Sequence, residues 1–261
     1  MALIDKIAGL LAMAERTDNE HEAEAFLQKA QGLATNNSID LALARAATAK
    51  AEMREKPTTK TVVVGEVRQH ANRQLIELML AIARVNDLEM DVAHNSTYVI
   101  LYGMPSDIEV TEAMFNSIAV QMITAATHWL RSDDWRGETF KQAYHDGRGR
   151  SWVESRPVNA RMAKASFNSS FTARIAERLT ATRKDVVNAR TASKEEKHAL
   201  VSLEVVLLDK AKEVKAFHKT ESKARGSWSG YSGRRGASGR GASAGKTAAD
   251  RARITNQAEL S

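Results

Sequence analysis

The plainest chemical signal in the chain lies in its last forty residues, where Arg225, Arg234, Arg235, Arg240 and Lys246 are interleaved with Trp228 and Tyr231 among many Gly and Ser. Guanidinium and ammonium groups neutralise phosphates whatever the base sequence, and aromatic rings stack on bases. The mixture therefore suits a segment that tracks nucleic acid without sequence preference. Charge is concentrated in the same place. From Lys223 to Ser261 eight Lys/Arg stand against two Asp/Glu, which accounts for the whole formal charge of +6. The composition also has a second use, since small residues let a weakly helical segment pack closely against a neighbour. The stretch from Trp135 to Arg156 repeats the theme, with Phe140, Tyr144 and Trp152 among Arg136, Lys141, Arg148 and Arg150, and there the aromatics read as core.

A second candidate is a pair of arginines. Phe167, Phe171, Ile175 and Leu179 form one helical stripe, and Arg178 projects inside its arc with Arg174 on the edge. A guanidinium there either snorkels or pairs with a structural carboxylate such as Asp107 or Asp209, or else it builds an anion pocket for phosphate or carboxylate.

Other motifs fail on mechanics. Gly245-Lys246-Thr247 resembles the end of a P-loop, but the position five before Gly245 is Arg240, and no strand feeds the segment to aim its amides at a phosphate. His21-Glu22 begins like a zinc-protease helix, yet Ala25 stands where the second ligand belongs. The remaining histidines are scattered singly, and no metal ligand set or cofactor is expected. With no Cys, disulfides, thiolate metal sites and thiol nucleophiles are excluded. No apolar run approaches the roughly 20 residues of a membrane span, so the expected location is cytoplasmic and no membrane partner is expected.

The elements that must position these groups are mostly helical. Ile4, Ile7, Leu11 and Ala14, then Ala23, Phe26, Ala30 and Leu33, predict a helical hairpin. Asn36-Asn37 is expected to end its second helix, and Ser38 to cap a third that runs to Glu55. Residues 57–60 read as a linker between this N-terminal unit (1–56) and an α+β unit (61–222), with 223–261 as the basic Gly/Ser/Arg-rich segment. In the second unit we expect a strand at Thr61–Val67, a helix at Asn72–Val85 and a hairpin of Leu88–Ala93 with Thr97–Tyr102. A core helix should follow from Ser106. Arg131–Pro157 is expected as a helix followed by a loop, and Asn159–Thr182 as a long helix. Ala199–Leu208 reads as a buried strand leading into a final amphipathic helix through Val214 and Phe217. The fold class is mostly helical α+β, with a small antiparallel sheet packed by long helices.

Lys6–Ala14, followed by His21–Ala25 and Ser38-Ile39-Asp40, resembles the short domain of unknown function numbered 2786. Ile100–Asp107, Ser166–Leu179, Val205–Asp209 and Tyr231–Gly245 resemble its companion, the domain of unknown function numbered 7168. The resemblance implies a bacterial or phage source and a mostly helical α+β architecture, and it implies no activity. The expected function is a non-catalytic phage or prophage accessory protein that binds nucleic acid through the basic C-terminal segment. Two alternatives stay open. One is a protein-interaction or virion-assembly component docking on a host or phage partner. The other is a binder of phosphorylated ligands, or a small enzyme, using Arg174 and Arg178.

Overall fold

A computed structural model describes residues 3–17, 20–47, 55–69, 71–192, 203–228, 230 and 237–252. Its helices are α1 (Leu3–Arg16), α2 (Glu20–Ala47), α3 (Asn72–Val85), α4 (Pro105–Arg131), α5 (Ala160–Ala192), α6 (Leu203–Glu221) and α7 (Gly239–Asp250). The strands are β1 (Thr58–Val63), β2 (Glu89–Val92), β3 (Tyr98–Gly103), β4 (Thr139–His145) and β5 (Ser151–Pro157). β1, β3 and β2 form an antiparallel sheet in that order, while β4 and β5 pair only with each other. The protein is thus mostly helical α+β, with small antiparallel sheets. No described helix is long and apolar enough to cross a membrane.

The core follows the apolar stripes. Ile7 and Leu11 of α1 and Leu27 of α2 join Ile76 and Met79 of α3, Met114 and Ile118 of α4, and Phe167 and Phe171 of α5 in one buried cluster. Inside it a polar bridge ties three helices. Gln31 donates to Asn86 Oδ1 (3.2 Å), and Asn86 donates to Thr111 Oγ1 (3.1 Å). Most buried amides are partnered in this way.

The helix at 72–85 and the hairpin beside it lie where their periodicity puts them. Several other expectations are corrected. Helix α2 does not end at Asn36-Asn37, because Asn36 donates back to the Gly32 carbonyl (3.0 Å) within the helix and Ile39 and Ala42 continue the buried stripe. No separate helix begins at Ser38. Thr58–Lys60, expected as linker, pair with Leu101–Gly103 as the first half of β1. Within Arg131–Pro157, a turn after α4 leads into the β4–β5 hairpin at Thr139–Pro157, in place of the expected helix and loop. Of the strand expected at Ala199–Leu208, residues 199–202 lie outside the described residues and Leu203–Leu208 are helical, because the Val205–Leu208 run splits between two helix faces. Leu203, Val206, Lys210 and Val214 are buried at helical spacing, while Val205 and Leu208 are exposed. Within the basic C-terminal segment, Gly239–Asp250 is a helix packed on α5.

Candidate nucleic-acid interface

Alternation builds the hairpin. Phe140, Gln142 and Tyr144 lie on one face opposite Arg156, Glu154 and Trp152. On that face Tyr144 and Trp152 stack, with ring centroids 5.4 Å apart, and the Arg156 guanidinium covers Tyr144 at 5.4 Å. Trp152 donates to Glu154 (3.0 Å), which also accepts from Arg156 (3.1 Å). The cross-strand Tyr144–Trp152 stack and the Trp152–Glu154–Arg156 chain along β5 brace the ribbon without help from a core. Help is absent here, since among the described elements neither strand makes more than marginal contact with anything but the other. The ribbon therefore stands off the body, with Trp152 45% and Val153 61% exposed.

The tip is a tight turn in which Asp146 Oδ1 accepts from the backbone N–H of Arg148 (3.0 Å) and Arg150 (2.8 Å). Gly149 sits at φ +80°, a conformation that glycine adopts without strain. The one carboxylate of the turn is spent on its backbone, and the guanidinium groups of Arg148 and Arg150 are left without an ion pair among the described residues.

The base of the ribbon is held by the C-terminal segment. Glu138, immediately before β4, accepts from the Gly239 N–H (2.6 Å), the Arg240 N–H (3.2 Å) and Ser238 Oγ (2.5 Å). A carboxylate there complements the positive end of α7. Arg240 donates to the Asp134 carbonyl (2.7 Å), so its guanidinium braces the turn that precedes the ribbon. Of the other cations and aromatics expected to meet nucleic acid, Arg225 and Lys246 are exposed, and Trp228 packs against the core. Tyr231, Arg234 and Arg235 lie outside the described residues. Gly245, which gave the P-loop resemblance, faces α5 in mid-helix, where a Cβ would sit 2.8 Å from the Phe167 carbonyl carbon. That glycine serves close packing.

Arg174 and Arg178 meet the other end of the same helix. Arg174 donates to Asp250 (2.5 Å) and Glu177 (3.1 Å), and Arg178, 8% exposed, donates to the Ala249 carbonyl at the C-terminus of α7 and lies 3.8 Å from Glu24. A guanidinium suits these orphan carbonyls. Neither of the carboxylates proposed from sequence partners Arg178, for Asp107 pairs with Lys210 and Asp209 with Lys212.

Two clusters escaped sequence reasoning. Lys210, 4% exposed, contacts Ser38 Oγ (2.5 Å), Asp107 (2.7 Å) and Asp87 (3.3 Å), and Asp87 also accepts from Arg183 (2.6 Å). Lys210 donates hydrogen bonds to Ser38 and Asp87, and its contact with Asp107 is an ion pair. The serine is one of three groups around an ammonium that also meets two carboxylates, so the cluster reads as a buried ion pair. The cavity beside it, between Ser38, Met104, Ser106 and Lys210, measures about 10 Å³. That is room for about one water, against roughly 300 Å³ or more in a small-molecule site.

In the second cluster Asp91 accepts from Ser222 (2.6 Å), His218 (2.9 Å) and Tyr102 (2.9 Å). The residue types match a catalytic triad, but serine and histidine both address the carboxylate instead of forming a Ser–His–Asp chain. The contacts fasten α6 to β2 and β3. Burial pushes the Asp91 carboxyl up, yet the hydrogen bonds from Ser222, His218 and Tyr102 outweigh it and leave the group below the ordinary 3.8. The Tyr102 phenol is pushed up to about 12, by burial first and then by Asp91.

The unfolded chain binds the Asp91 proton at higher pH than the folded one. The stability this carboxylate contributes is therefore present above 3.8 and is lost as pH falls below that value. Asp91→Asn should flatten the acid side of the stability curve, measured by denaturant unfolding from neutral pH down to about pH 3. An unchanged acid limb would show that these hydrogen bonds do not favour the charged form.

No curated protein and no solved structure matches the chain. Residues 2–41, which are α1 and most of α2 and carry the resemblance noted in the sequence, match the family described as a protein of unknown function, DUF2786.

Proposed function

We propose that the protein binds nucleic acid without catalysing a reaction on it, using the β4–β5 ribbon together with the exposed cations of the C-terminal segment. The observation that carries this reading is the ribbon tip, where Arg148 and Arg150 have no ion pair among the described residues and stand on an arm that projects from the body. Lys141, exposed along β4, and Arg225 and Lys246, exposed in the C-terminal segment, add sites for phosphate. Cations with no partner in the protein can neutralise a polyanion without first breaking an ion pair. A phage or prophage setting belongs to this reading through the resemblance of the second unit to the 7168 family.

The test is binding of the intact chain and of Arg148→Ala/Arg150→Ala to labelled nucleic acid over a salt series. Truncation at Ser222 is unsuitable, because it would strip α7 from the core. Because the double substitution leaves two phosphates without their cations, the slope of log affinity against log salt should become shallower by about 2. Identical slopes would remove the ribbon from the interface, and a chain that binds no nucleic acid would end the reading.

A further inference from the structure

We infer, resting on that reading, that the ribbon lies in the major groove of B-form DNA with its Lys141–Ser155 face towards the bases. The inference begins with how charge is sorted across the ribbon. One face carries Phe140, Gln142, Tyr144, Trp152, Glu154 and Arg156. Its acid and base are joined to each other, and Tyr144 is covered by Trp152 on one side and approached by Arg156. Single-strand binding depends on free aromatic platforms for bases to stack on, and the Tyr144 ring is already occupied.

The opposite face pairs Lys141 with Ser155, Ala143 with Val153 and His145 with Ser151. It has no carboxylate, and apart from Lys141 and His145 its side chains are short. Short side chains let the backbone approach base edges, and Val153 is 61% exposed there. An apolar side chain of this size matches the thymine methyl group, which is displayed only in the major groove.

Dimensions select the groove. A two-stranded ribbon is admitted by the B-form major groove, about 12 Å wide, and not by the minor groove at about 6 Å. Seven residues per strand reach about 20 Å, enough to follow the groove across its width and bring the tip to the far phosphates. Arg148 and Arg150 stand at that tip, and Glu138 fixes the opposite end to α7. The A-form major groove of duplex RNA is deep and narrow and excludes such a ribbon.

The test compares duplex DNA, duplex RNA and single-stranded DNA of one sequence, and adds two DNA duplexes with one groove blocked. In the first, glucosylated hydroxymethylcytosine fills the major groove; in the second, netropsin fills the minor groove. Glucosylation should weaken binding about tenfold or more while netropsin leaves it within about twofold, and duplex RNA and single strands should bind about tenfold more weakly than plain duplex. Ser155→Glu and Gln142→Glu add the same charge to opposite faces. The first should cost about tenfold or more and the second no more than about threefold, because only the first places an anion against the groove.

Equal loss from both substitutions, sensitivity to netropsin instead of glucosylation, or equal binding to duplex RNA or to single strands would overturn the groove assignment. In each of those cases nucleic-acid binding itself stands. Failure to bind any of the polymers would overturn the reading beneath it as well.

Discussion

Gly245→Ala is expected to lower stability by about 3 kcal/mol, and with it the melting temperature by about 10 °C, although the substitution improves helix propensity by about 1 kcal/mol. The two effects oppose each other, so the sign is diagnostic. A Cβ at Gly245 would stand 2.8 Å from the carbonyl carbon and 2.9 Å from the Cα of Phe167, and nearer still to its oxygen. These are backbone atoms of α5 and cannot rotate aside, so the helices must separate. Gly241, one turn earlier on the same face, would meet the Ala163 carbonyl oxygen at 2.7 Å. The joint is also held at both ends, by Glu138 at the start of α7 and by Arg174 and Arg178 at its close. Gly9 of α1 is the control, since it is exposed and a Cβ there meets nothing within 4 Å. Gly9→Ala should stabilise by about 0.5–1 kcal/mol. Denaturant unfolding of both variants decides the matter, and a Gly245→Ala protein stabilised like the control would refute the close approach of α5 and α7.

Lys210→Met should cost about 3–5 kcal/mol, because it strands a buried carboxylate rather than merely deleting a contact. Asp107 is 6% exposed, and burial already pushes its carboxyl above 3.8 while Lys210 draws it back. Asp87 retains Arg183, so the loss falls on Asp107. Without the lysine the Asp107 carboxyl rises further. A folded chain that holds the proton more tightly than the unfolded one loses stability as pH rises, so the deficit at neutral pH should narrow as pH approaches about 5. The double variant Lys210→Met/Asp107→Leu should recover much of the loss, since it removes both charges together. A deficit independent of pH and simply additive with Asp107→Leu would mean that the two groups do not share a buried pair.

Local patterning carried α3 and the β2–β3 hairpin, whose periods of 3.6 and 2 are set by residues within a dozen positions of each other. It failed at Val205–Leu208, where β-branched residues suggest a strand although the burial of Leu203, Val206, Lys210 and Val214 follows a helix. It also failed at Arg131–Pro157. The alternation of Phe140, Gln142 and Tyr144 was present there, but its meaning depended on the opposing strand. The excess of C-terminal charge was legible. The role of Arg240, Arg174 and Arg178 around α7 was not, because each acts on a group distant in the chain.

What the sequence by itself determined is therefore the helical class, the apolar stripes of the core, the exclusion of thiol chemistry and the existence of cation-rich segments. All are properties of composition or of neighbours along the chain. Only the tertiary structure decided that the glycine of a P-loop-like Gly-Lys-Thr run is a helix contact, that Lys210 finds Ser38 across 172 residues, and that Arg148 and Arg150 stand on a projecting ribbon. Each of these rests on which surfaces exclude water together. Burial energy depends on three-dimensional proximity, which spacing along the chain does not encode.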